Sequence, residues 1–353
     1  MSVVGCRLSV VHRKKPHIRE NLCKSVSQLK VMESSLTETV RSSCKEVAER
    51  ATYVRIDDDA IREYALSFPI EQAISPELDP NTHYLDNGEG TVAFFLTLDT
   101  INFGSGYFPQ LRKRQGLSGY FTVASSLNDF YNNQGPLSAE QLSQLKVRDC
   151  TKMFGQNPEN KPVQELMQLF TTALNDLGQY LTRYYNGSFL ELVEAADNSA
   201  ERLANLLVKM PFFDDVESYD DMRVHFYKRA QLTSADLSIA LKGQGPGRFE
   251  DLHKLTIFAD NLVPHVLRID GILLYDENLA KHIDSGTLIP SGSAQEVEIR
   301  ACAVHAVELM AEELRKAGRE VTSQGLDYLL WNRGQQPYYK RIKPRHRTRT
   351  VFY

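Results

Sequence analysis

The sequence predicts an all-α, mainly helical fold with minor short strands, and three observations carry that expectation. Apolar residues recur at three- and four-residue spacing over 36–51, 163–185, 190–210 and 297–314, the period of helices that bury one face. Alternating segments are few and short, at 51–56 and 224–227. No internal repeat is visible, so neither a solenoid nor a propeller is expected. With 353 residues, 42% hydrophobic and 24% charged, the chain has the balance of an ordinary globular protein and enough apolar material for a large core. Its longest apolar stretch, 91–103, is interrupted by Asp99 and is too short to span a bilayer, so no membrane partner is expected.

Charge divides the chain. Arg7, Arg13, Lys14, Lys15, Arg19, Lys24 and Lys30 face the single acid Glu20 within residues 1–31, a net of +6; with a total of −4, the rest carries −10. The basic, acid-poor segment reads either as a targeting peptide or as an extension ahead of a start at Met32, disordered or untranslated. Both readings place it outside the fold and leave 32–353 as a single helical domain. An acidic body argues against a duplex binder, which needs a broad cationic face. Cys6, Cys23, Cys44, Cys150 and Cys302 are scattered and form no CxxC pair. A reducing, cytoplasmic setting with no structural metal and no cofactor follows as the expectation.

In chain order, the first informative segment is 81–111. Glycines at 88, 90, 104 and 106 flank an apolar helix or strand that carries Asp99 and Asn102 toward Phe103, Tyr107 and Phe108. Aromatic faces beside a carboxylate and an amide suit a planar heterocycle, although 104–106 also reads as a plain tight turn. Farther on, Lys228 and Arg229 follow an acidic run at what reads as a helix entry, a place for phosphate or for ion pairs with those acids.

The segment 255–276 places Asp260 where an apolar run meets a chain break near Pro264. Such a carboxylate either caps a helix or has tuned acid-base reactivity. Residues 275–283 read as a helix, 284–292 as a turn, and Ser293 with Glu296 as the capping box of a helix ending near Gly318. The C-terminal stretch holds Trp331 and six basic residues between Lys340 and Arg349, bracketed by Tyr338, Tyr339, Val351, Phe352 and Tyr353. Those aromatics predict a tail that packs back on the domain.

Taken together, KRAQL at 228–232, LTIFADNLVPHVL at 255–267, GSAQEVEIRACAVHAVEL at 292–309 and LDTINF at 98–103 resemble the queuosine salvage protein family of queuosine 5′-phosphate N-glycosylase/hydrolases. The resemblance implies a fold similar to helix-hairpin-helix DNA glycosylases and hydrolysis of queuosine 5′-monophosphate to free queuine. It implies Asp260 as the catalytic carboxylate, Asp99 at the base edge and Lys228 near the phosphate. The residues themselves suit that chemistry: a fixed carboxylate stabilises an oxocarbenium-like ribosyl cation. Asn102, Phe103, Phe258 and Asn261 complete the expected base site, and Arg229 joins Lys228 at the phosphate. The small nucleotide is then the expected partner, with no stable nucleic-acid partner. A nucleic-acid base glycosylase and a non-catalytic modified-nucleoside or tRNA-binding module are the alternatives.

Overall fold

The computed structural model describes residues 35–70 and 77–353, so the expectation for 1–31 lies outside the described residues. In chain order the elements are α1 (Leu36–Arg50), β1 (Val54–Ile56), α2 (Asp58–Leu66), α3 (Glu89–Thr100), α4 (Gly119–Gln134), α5 (Ala139–Ser143), α6 (Val147–Met153), α7 (Lys161–Tyr184), α8 (Phe189–Glu194) and α9 (Ala200–Leu207). A hairpin of β2 (Val216–Tyr219) and β3 (Met222–His225) leads to α10 (Lys228–Ala240). The chain continues through α11 (Val263–Ile269), β4 (Leu273–Tyr275), α12 (Glu277–Asp284), α13 (Ala294–Lys316), α14 (Ser323–Gln335) and α15 (Pro337–Arg341). Helix dominates, as expected, and among the described residues strands occur only in two antiparallel pairs, β1 with β4 and β2 with β3. Among the described residues no helix is long and apolar enough to cross a membrane.

Local chemistry explains the helix boundaries. Asn160 accepts a hydrogen bond from the Val163 amide and Pro162 follows in the first turn, so α7 starts where an orphan donor is satisfied and a fixed φ is welcome. Its buried residues Val163, Leu166, Met167, Phe170, Leu174, Leu177 and Leu181 form the expected stripe. The predicted helix over 190–210 is instead two, α8 and α9. Asp197 and Asn198 take left-handed φ values of 49° and 58°, which short polar side chains tolerate, and the Ser199 hydroxyl caps the restart.

Two other boundaries differ from expectation. Tyr275 opens no helix; it pairs with Val54 in the β1–β4 register, and Asp276 caps α12. Ser293 accepts from the Glu296 amide as predicted, but the Glu296 carboxylate accepts from Gly292 N at 3.3 Å and lies 3.6 Å from Arg300, so the reciprocal half of the box is displaced.

Two large apolar clusters build most of the interior, with a small third around Ala200, Ala235, Leu255 and Phe258. One large cluster gathers α3, α4, α7 and α8 around Phe94, Leu98, Phe170 and Leu174; the other gathers α1, α11, α13 and α14 around Val47, Val266, Val304 and Leu330. Helix α3 is buried on nearly every side from Thr91 to Thr100, which explains an apolar run too uniform to show a period. The tail packs back as predicted. Gly104 N donates to the Tyr353 carbonyl, and a side chain at Gly106 would collide with the Thr348 backbone. The glycines at 104 and 106 therefore form the seat of the tail rather than an isolated turn.

Candidate active site

A cavity of about 940 Å³ opens among the end of α3, the start of α4, α10, the 255–262 segment, α14 and the tail. That volume suits a small ligand. Asp260 lies on its wall because the preceding strand-like run is pinned from three directions. Gln231 Oε1 accepts from Thr256 N at 3.0 Å, Asp327 Oδ1 accepts from Phe258 N at 2.9 Å, and Arg300 Nε donates to the Ala259 carbonyl at 3.0 Å. Asp260 Oδ1 accepts from Leu262 N at 2.6 Å and Val263 N at 3.2 Å. The capping reading of the residue thus holds: one oxygen caps the entry to α11, and the half-buried side chain also lines the cavity.

Lys228 enters the wall at the first position of α10, after Tyr227 in a left-handed conformation of φ 48°. Burial lowers the pKa of its ammonium, while Asp260, Asp99 and Asp236 oppose that shift. Asp236, a little over two turns along the same helix, reaches the cavity with Asp99 directly behind it. Both carboxyls are buried and face each other, and the Thr233 hydroxyl beside Asp99 only partly offsets the shift. Each group opposes the other's ionisation, and a shared proton satisfies them. Desolvation, then the neighbouring Asp236, raises Asp99 well above the carboxylate range, and desolvation raises Asp236 to about 7 against the opposing pull of Lys228.

A fourth acid, Asp327 on α14, also lines the cavity, and burial followed by the charge of Asp260 raises its pKa. His83 Nε2 lies 3.0 Å from the Tyr120 hydroxyl while Nδ1 lies 3.2 Å from the Asp79 carbonyl; burial lowers its pKa and favours the neutral ring. Lys113, Lys340, Arg345 and Arg347 reach the cavity from its more exposed side.

Of the residues expected from sequence, Asn102, Phe103, Lys228, Phe258, Asp260 and Asn261 share this cavity. Asp99 stands behind Asp236 and does not itself line it. Arg229 requires correction as a phosphate ligand. Its guanidinium donates to the carbonyls of Asp99, Thr100, Phe212 and Val351 and sits between the Phe103 and Phe213 rings. Successive helical residues diverge by about 100°, so Lys228 and Arg229 cannot face one ligand.

Asp236, Asp327, His83 and Tyr120 escaped the sequence reading. The available signal was polarity inside buried helices: Gln231, Thr233, Ser234 and Asp236 in α10, and Asp327 beside Leu326, Leu329 and Leu330 in α14. Among the described residues no group of histidine, cysteine and acids is arranged to hold a metal.

Comparison with known proteins covers every one of these side chains. The chain matches the queuosine salvage protein family over residues 82–353. Relatives named queuosine 5′-phosphate N-glycosylase/hydrolase include one from Sphaerobacter thermophilus, 34% identical over 319 residues that cover 89% of this chain and 97% of that protein. The Bos taurus relative is 32% identical over 339 residues, covering 89% and 98%, and that of Dictyostelium discoideum is 32% identical over 329 residues, covering 89% and 98%. The cavity and its acids therefore belong to a member of the queuosine salvage protein family.

Proposed function

We propose that the protein is a hydrolase that cleaves the N-glycosidic bond of queuosine 5′-phosphate and releases queuine for reuse in tRNA modification. The names of its relatives support the substrate, and one observation of this chain carries the chemistry: Asp260 presents a carboxylate to the cavity from a backbone held by Asp327, Gln231 and Arg300. As the bond from C1′ to the base nitrogen breaks, its electron pair leaves with the base and positive charge grows on the sugar. Asp260 stabilises that charge and orients the water that attacks C1′.

The departing 7-deazapurine lacks N7 and takes its proton at another heteroatom. Asp236, backed by Asp99, supplies it, and Lys228 steadies the ionised pair until the attacking water returns a proton. Phe103, Phe258, Asn102 and Asn261 form the base site. Lys228 anchors the 5′-phosphate, so that remote binding energy aligns the sugar. No step in this scheme calls for a metal or cofactor.

The α12–turn–α13 segment, with Gly286 and Gly292 in its turn, supports a likeness to helix-hairpin-helix glycosylases. The acidic body favours a free nucleotide in the cytoplasm over a nucleic-acid partner, with residues 1–31 outside the catalytic domain. Incubating the purified chain with queuosine 5′-phosphate and weighing the products tests the function. Free queuine and ribose 5-phosphate are expected; intact substrate in the presence of folded protein rejects it.

A further inference from the structure

We propose that Arg300 is a positioning residue for this reaction, holding Asp260 and Lys228 at one spacing on the cavity wall. The inference rests on the function proposed above and adds a residue that does not line the cavity. Arg300 is fully buried in α13 and forms a bidentate pair with Asp215, Nη1 to Oδ1 at 3.0 Å and Nη2 to Oδ2 at 2.6 Å. Its Nε donates to the carbonyl of Ala259, the residue before Asp260. The paired Asp215 Oδ2 accepts from the backbone N of Lys228 at 3.2 Å. One guanidinium thus reaches the base of both proposed functional side chains. It also lies 4.7 Å from the ring of Tyr353, another wall residue, and 3.9 Å from that of Phe226.

Stability alone is a poor reason for this arrangement. Exchanging a buried ion pair for well-packed apolar residues is often neutral or stabilising. Geometry is a better one. The fork fixes two hydrogen bonds in one plane while Nε reaches a third acceptor at a set angle, which a lysine ammonium cannot reproduce. The Asp215 backbone carbonyl also accepts from Phe226 N and Tyr227 N, so the same residue sets the left-handed step into α10. Asp260 and Lys228 come from segments separated by a loop and a helix. The Arg300–Asp215 pair is a direct polar bridge between the backbones at Ala259 and Lys228, alongside the one that Gln231 makes from the Phe226 carbonyl to Thr256 N.

The test uses the full chain and queuosine 5′-phosphate, with free queuine as the binding probe. Arg300→Lys is expected to lower kcat by about 10²-fold, the cost of a displacement on the order of 1 Å, while the Kd of queuine moves by less than about threefold. Rates are normalised to folded protein, measured by near-ultraviolet circular dichroism. In the double variant with Asp260→Asn, the Arg300→Lys substitution should cost less than about threefold more, because it acts through a group already disabled.

Turnover of Arg300→Lys within threefold of wild type overturns the proposal. So does full multiplication of the two losses, or a loss that vanishes on normalisation. Where Arg300→Lys does not fold, Asp215→Asn, which keeps the shape and loses the charge, is judged by the same criteria. An inert wild-type chain defeats the hydrolase reading together with this proposal; an active wild type with an indifferent Arg300→Lys defeats the positioning role alone.

Discussion

The two sides of the cavity are built on different electrostatic plans. At its buried side Asp236, Asp260 and Asp327, with Asp99 behind, surround one cation, Lys228; at its more exposed side Lys113, Lys340, Arg345 and Arg347 stand with the acids Glu77 and Asp79. Burial makes the first set costly and responsive, because charges removed from water interact strongly and are relieved by sharing protons. Exposure makes Lys113 and Lys340 inexpensive and screened, whereas Arg345 and Arg347 are half-buried and burial lowers the pKa of Arg345. Proton transfer and cation stabilisation therefore belong to the acid side, whereas the cations can only attract and orient an anion. Asp260 lies where the two meet, its charge acting on both Lys228 and Arg345.

The comparison can be broken from the acid side first. Asp260→Asn is expected to lower kcat by about 10³-fold while queuine binds within a few-fold of wild type. Near-normal turnover would remove the assignment. Asp236→Asn should lower kcat by about 10²-fold and abolish the decline in rate that the wild type should show as pH rises through about 7, where Asp236 loses its proton.

The same variant carries a thermodynamic signature. Because the folded pKa of Asp236 is raised from 3.8 to about 7, its favourable contribution is complete below pH 3.8 and disappears as pH rises through about 7. Asn, which never ionises, should therefore raise Tm relative to wild type at pH 8, and the difference should shrink toward pH 4. An equal offset at both pH values would deny the shared proton.

Smaller effects sharpen the cationic side. Lys228→Ala should raise KM for the nucleotide by about tenfold, and far less for unphosphorylated queuosine. Arg345→Gln should show the same bias at a few-fold only; a larger bias in Arg345→Gln would move the phosphate toward the tail. Arg229→Lys should leave KM for folded enzyme unchanged and lower Tm by on the order of 5 °C, since its guanidinium serves backbone carbonyls rather than ligand.

The helices were legible because their cause is local. Apolar spacing announced α1, α7 and α13 to within three residues, and the Ser293 cap marked the start of α13. The break at Asp197 and Asn198 and the pairing of Tyr275 were not, since a left-handed step and a partner about 220 residues away leave little trace in a periodic pattern. At the site, Asp260 and Lys228 stood out by context, and the family motifs named them. Asp236 and Asp327 look like ordinary helical acids until tertiary packing removes water from them. Arg229 shows the converse error: adjacency in sequence suggested partnership, and helical rotation denied it.

The seat that Gly104 and Gly106 offer to Tyr353 and Thr348 has a kinetic consequence. It closes a loop of roughly 240 residues, and contacts so distant along the chain form slowly. During refolding from denaturant, helical ellipticity should recover well before catalytic competence, with the lag set by docking of the last strap across the cavity.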